Sequence, residues 1–239
     1  MRKIKIAVVN VSSVVTESHD VQRVVDALQI QVRRDFAPVW GVYADLRIAT
    51  PKESLRAGEW LLVILDDADQ AGVLGYHDFT KDGFPLGKVF AASDRQYGDK
   101  WSVTASHELL EMLVDPNINI MVSERSSNGA RLYAYEICDA CEGDCYGYKI
   151  GGVLVSDFVY PAWFESFRAA KSTQFDHRKK IAKPFQLLKG GYIGYCDIDP
   201  GAGWKQLTAE KHNFRARPPV GSRRERRTIP MVQRLRSVQ

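Results

Sequence analysis

No apolar run in this 239-residue chain approaches the ~18 residues that a membrane-spanning helix needs. The charged start Met1-Arg2-Lys3 leads into a short apolar stretch with no small-residue cleavage site behind it. It reads as a strand rather than a secretion signal. A cytoplasmic protein with no membrane partner is the expectation. Cysteine is scarce as well. Of four, Cys138, Cys141 and Cys145 lie within eight residues and Cys196 is distant. In a reducing compartment such usage excludes a disulfide framework. It leaves buried thiols, or a structural metal site completed by Cys196 or a histidine. Internal repeats are absent, which sets repeat architectures aside.

What is present suits a globular protein. The chain is 45% apolar and 26% charged, enough to bury a sizeable core. Its net charge of +4 is uneven. Residues 215–239 hold eight Arg and one Glu and so carry +7, which leaves −3 for the rest. We divide the chain into a body over 1–205, with an N-terminal part to 116 and an irregular part over 117–205, and a basic extension over 206–239. That extension suits nucleic acid or an acidic protein partner.

The patterning predicts an α/β (α+β) fold with helices on a mixed sheet. Lys3 to Val15 reads as a buried strand and Val21 to about Phe36 as an amphipathic helix, a crossover ended by Pro38 and Gly41. Asp45–Ala49 and Glu59–Asp66 follow as strands, the second apolar enough to be buried on both faces. Leu74–Phe79 and Lys88–Ala92 form a further pair around Gly83-Phe84-Pro85. A helix over Trp101–Val114 stops before Pro116. Beyond it lie a strand at Arg131–Ile137, a hairpin around Gly151-Gly152, and two short strands around Gly190-Gly191.

The helix at 101–114 carries the chemistry. It contains His107-Glu108-Leu109-Leu110-Glu111, so His107 and Glu111 stand four apart on one face. A zinc-hydrolase helix has this spacing with a second histidine where Glu111 stands. A hydrolytic zinc site needs three protein ligands and an open position. Here His107 and Glu111 are candidate ligands and Glu108 the candidate general base. The third ligand is open between Asp115, one turn further on, and the acidic run Glu136, Asp139 and Glu142.

His-Glu-x-x-Glu followed, after 24 intervening residues, by Glu136-Ile137-Cys138-Asp139-Ala140-Cys141-Glu142-Gly143 resembles the pairing in phosphate-induced/EXORDIUM-like proteins and in uncharacterised bacterial and phage relatives. The element order from Lys3 to Val114 also resembles the N-terminal half of zincin metallopeptidases. The resemblance implies that His107, Glu108 and Glu111 match the helix motif, and Glu136, Asp139, Cys141 and Glu142 the downstream motif. It also puts His77 on an edge strand beside a substrate cleft. The expectation is a zincin-like, metal-dependent peptidase acting on a peptide or protein. One Zn²⁺ or another divalent metal would be held by His107, Glu111, and Glu136 or Asp139. The competing expectation is a non-catalytic zincin-like protein of a larger assembly, such as a phage or secretion-type particle, docked through its basic tail.

Overall fold

A computed structural model gives the fold and describes residues 3–69, 74–126, 129–198 and 203–210. The β-branched N-terminal run forms β1 (Ile4–Asn10). It pairs in parallel with β2 (Ala44–Ala49) on one side and β3 (Glu59–Leu65) on the other. β3 in turn pairs in parallel with β5 (Pro85–Phe90). The edge strand β4 (Gly75–Phe79) runs antiparallel to β5. The sheet order is therefore β2-β1-β3-β5-β4, a mixed sheet with one reversed edge.

The crossover from β1 to β2 is helical, as parallel strands require. It comprises α1 (Ser18–Ile30), a π-type turn over Gln31–Phe36, and α2 (Ala37–Trp40). The helix thus continues past Pro38, which was expected to end it, and stops at Gly41 with φ 70°. Proline removes a donor from the ladder. The wider π turn before it is where the hydrogen bonding is reset.

Strand alternation sends Ile6 and Val8 to the helical side of the sheet, while Ala7 and Val9 pack with Ala49 on the other. α4 (Trp101–Val114) lies on the helical side against β5 and β4, and α1 lies there against β2. A hairpin of β8 (Tyr148–Ile150) and β9 (Val153–Val155) packs β9 against both helices. Its turn, Gly151-Gly152, has φ of 56° and 85°, a conformation that favours glycine.

Three elements differ from the sequence reading. Ala91–Tyr97 is a helix, α3, so Ala91 and Ala92 leave the strand assigned to them. Met121–Ser126 forms β6, beside β7 (Gly129–Ala134). Only one strand, β10 (Tyr192–Asp197), flanks Gly190-Gly191, and it pairs with β7 and with β11 (Trp204–Thr208). Pairing therefore continues through Thr208, past residue 205 where the body was expected to end. The core is also continuous across residue 116, joining Ile6, Leu62 and Leu109 to Phe158, Trp163 and Ile193.

Gly75 lets α4 approach the sheet, and Gly87 makes room for Leu62 of the neighbouring β3. A Cβ on Gly75 would stand 2.6 Å from Thr104 Cγ2 and 2.9 Å from both Glu108 Cγ and the Lys88 carbonyl oxygen. A Cβ on Gly87 would meet Leu62 Cδ1 at 2.7 Å. Gly75→Ala is expected to cost about 1–3 kcal/mol in urea unfolding, because backbone and helix must both shift. An unchanged midpoint would show that α4 sits further from the strand.

Candidate metal centre

α4 is buried along almost its whole length, polar residues included. The site is assembled where it meets β4 on one side and the chain after β7 on the other. His107, Glu108 and Glu111 come from α4, and His77 from β4. Glu136 follows β7, and Asp139 opens a 3-10 turn over Asp139–Cys141. All six side chains are buried, with exposures of 5% or less.

The acidic loop is pinned from several directions. The Cys138 N–H donates to Glu111 Oε1 at 3.1 Å, and the Val159 N–H to the Ile137 carbonyl at 2.7 Å. The Leu188 N–H donates to the Ala140 carbonyl at 2.9 Å, while Gly191 lies against that same carbonyl. The Ser106 hydroxyl, next to His107, donates to Gln31 Oε1 at 2.7 Å and accepts the Ser156 N–H at 3.0 Å. Gln31 also donates to the Ser156 carbonyl at 2.9 Å. This buried bridge ties α4 to the crossover and to the segment after β9.

His107 Nε2 stands 3.2 Å from Glu111 Oε2 and 3.2 Å from Asp139 Oδ1. Neither His107 Nε2 nor Asp139 Oδ1 has a partner in hydrogen-bond geometry. His107 Nε2 thus faces both carboxylates without hydrogen-bond geometry to either. Burial works against a charged His107, but the carboxylates of Glu111, Asp139 and Glu108 hold its pKa well above the ordinary value. Anything cationic placed among these groups is stabilised by the same field.

Two sets of donor atoms lie close enough to share an ion. One is His107, Glu111 and Asp139; the other is His77, Glu111 and Glu136. Within each set the atoms lie within 4.8 Å of one another. His107, Glu111, Glu136 and Asp139 are thus in one cluster, whereas the other two candidates for the third ligand, Asp115 and Glu142, belong to neither set. No cysteine belongs to either set. Cys138 and Cys141 are buried free thiols, and burial pushes both thiol pKa values up.

Asp115 is not among these donors. Its carboxylate accepts the N–H groups of Asn119 and Ile120 at 2.9 and 3.1 Å, making it the residue that turns the chain out of α4. His77, expected to face substrate at a cleft wall, is 1% exposed. Its Nδ1 faces Glu108 Oε2 at 3.7 Å and Glu111 Oε2 at 3.9 Å. It has no solvent-facing surface to offer a substrate and instead stands among the site carboxylates. The signal that could have found this placement is Gly75, two residues away on the same strand face, where close approach of α4 demands glycine.

A further buried acid escaped the sequence reading. Asp94 on α3 accepts the Thr104 hydroxyl at 2.7 Å, and burial pushes its pKa up to about 7. Asp94 Oδ2 has no hydrogen-bond partner. The basic extension expected to bind nucleic acid or an acidic partner lies, from residue 211 onward, outside the described residues. No helix among the described residues is long and apolar enough to cross a membrane. No protein-family model, curated protein or solved structure matches the chain.

Proposed function

We propose that this protein is a metal-dependent hydrolase of zincin type, with peptide bonds as its substrate class. The observation that carries the reading is that Glu111 Oε2 and Asp139 Oδ1 each stand 3.2 Å from His107 Nε2, while His107 Nε2 and Asp139 Oδ1 have no hydrogen-bond partner. Buried polar atoms are ordinarily satisfied, and an imidazole nitrogen and a carboxylate oxygen left facing each other fit an ion. The arrangement of a reversed edge strand beside a helix bearing His-Glu-x-x-Glu supports the zincin comparison.

In this reading His107, Glu111 and Asp139 hold the metal, with Glu136 close by. The ion would supply Lewis acidity, drawing the pKa of water towards about 7 and polarising a carbonyl. Glu108, the neighbouring carboxylate on α4, accepts the proton of the attacking water and delivers it to the leaving amine. The Cys138 N–H occupies Glu111 Oε1, so Oε2 is the oxygen that would hold the ion. One imidazole with carboxylates is a harder donor set than two imidazoles, so Mn²⁺ or Fe²⁺ competes with Zn²⁺ here. The buried free thiols fit a reducing, cytoplasmic setting.

Burial of every site side chain favours a second reading, in which the metal is structural and the protein a non-catalytic component of an assembly. Glu108→Gln separates the two. On the hydrolase reading it keeps bound metal and lowers peptide hydrolysis at least a hundredfold, the scale of a lost general base. Wild-type protein that is metal-loaded and inert against a broad peptide mixture would sink the catalytic reading and leave the structural one.

A further inference from the structure

We propose that the cluster holds two divalent cations, the second bound by His77, Glu111 and Glu136, with Glu111 shared between the two positions. This rests on the metal-binding reading above and extends it. His77 carries the argument. Its Nε2 lies 3.2 Å from the Asp115 carbonyl oxygen. A carbonyl only accepts, so Nε2 bears a hydrogen and is committed to Asp115, which leaves Nδ1 as the ring atom that can meet an ion. That Nδ1 is fully buried and has no hydrogen-bond partner.

Nδ1 faces carboxylate oxygens. Glu108 Oε2 at 3.7 Å and Glu111 Oε2 at 3.9 Å are too far for hydrogen bonds. They are at the separation of two ligands on one ion, each about 2.1 Å from it. Metal-binding histidines commonly anchor their other N–H on a backbone carbonyl, which fixes tautomer and ring orientation. Asp115 does this for His77 and is itself held. Its N–H donates to the Glu111 carbonyl at 2.8 Å, and its carboxylate holds Asn119 and Ile120.

Glu111 is placed to bridge. With Oε1 occupied by the Cys138 N–H, Oε2 faces both His107 Nε2 at 3.2 Å and His77 Nδ1 at 3.9 Å. The donor atoms form two compact sets that have Glu111 alone in common. Charge points the same way. Glu108, Glu111, Glu136 and Asp139 bring four carboxylates into one buried cluster. One divalent cation offsets two such charges; a pair offsets all of them. In a two-metal hydrolytic site the second ion would share in activating the water and polarising the carbonyl. Glu108 then stands beside the second position.

The test counts metal on the full chain. Chelator-treated protein is dialysed to equilibrium against Mn²⁺ and, separately, Zn²⁺, and bound metal is measured by mass spectrometry. Two equivalents per chain are expected with at least one of the metals. The Mn²⁺ form should give the electron paramagnetic resonance spectrum of a coupled pair in place of the six-line signal of an isolated ion. His77→Gln and Glu136→Gln should each fall to one equivalent and recover the six-line signal. One equivalent in the wild type, kept in His77→Gln, overturns the second site and leaves the proposed function standing. One equivalent lost in both His77→Gln and His107→Gln means a single ion held by both histidines, and also overturns it. No bound metal at all removes the proposed function with it. Should the variants fail to fold, the wild-type stoichiometry and spectrum decide.

Discussion

Chelation is expected to lower the thermal midpoint of this protein by about 10 °C. An ion present at a thousand times its Kd stabilises the native state by about 4 kcal/mol. For a domain of this size each kcal/mol moves the midpoint by about 2–4 °C. The site gives such binding a large lever, because its donors come from three separate stretches: β4, α4 and the loop at 136–139. An ion there holds the edge strand, the helix and the acidic loop together, whereas the unfolded chain offers those donors only at scattered positions. Scanning calorimetry with and without a strong chelator, followed by metal add-back, measures the effect. A midpoint that does not move, in protein shown to carry metal beforehand, would mean that the ion contributes nothing to the fold.

Asp94→Asn is expected to stabilise the metal-free protein at alkaline pH and leave it nearly unchanged near pH 4. The sign follows from the direction of the shift. Burial raises the folded-state pKa of Asp94 from 3.8 to about 7, against the opposing hydrogen bond from Thr104. A raised carboxyl pKa gives stability that is fully present below the unfolded value of 3.8 and lost as pH climbs to about 7. Above that the folded state carries a buried carboxylate, and the loss approaches roughly 4 kcal/mol. The amide keeps the shape and removes the titration. Urea unfolding at pH 4, 6 and 8 in chelator-treated protein should show the wild type weakening relative to the variant across that window. Parallel curves would place Asp94 in a more hydrated setting than its burial indicates.

Much of the N-terminal architecture was readable because its signals were local. The β-branched run at Ile4–Asn10, the three-and-four spacing of Val21, Val24, Val25 and Leu28, and the apolar helix stopped before Pro116 each specify an element without help from the rest of the chain. The strands missed were those whose sequences alternate weakly. Met121–Ser126 is polar at four of its six positions, and its Met121 is exposed, so its pairing with β7 comes from tertiary context. The helix Ala91–Tyr97 was hidden because Ala91 and Ala92 continue the apolar run of β5.

The site divides in the same way. His107 and Glu111 were legible because four residues is one helical turn. Glu136 and Asp139 were legible as a pair of alternatives, because nothing in a loop sequence says which side chain turns inward. The structure brings both inward, on either side of Glu111. The position of His77 was not legible. Strand alternation says that it shares a face with Gly75, but which face is covered depends on a helix some 30 residues later.

The hydrogen-bonded bridge among Gln31, Ser106 and Ser156 has a consequence for how the protein is made. Its three members leave the ribosome in the order crossover, helix, hairpin end, and the last comes 50 residues after the second. At about 5–20 residues per second, several seconds pass in which α4 has been synthesised but not covered. During that interval His107 and Glu111 are hydrated and open, and Asp139 arrives before Ser156 closes the helix in. On the metal-binding reading proposed above, an ion would meet its donors on the nascent chain, after the loop has emerged and before the lock is set.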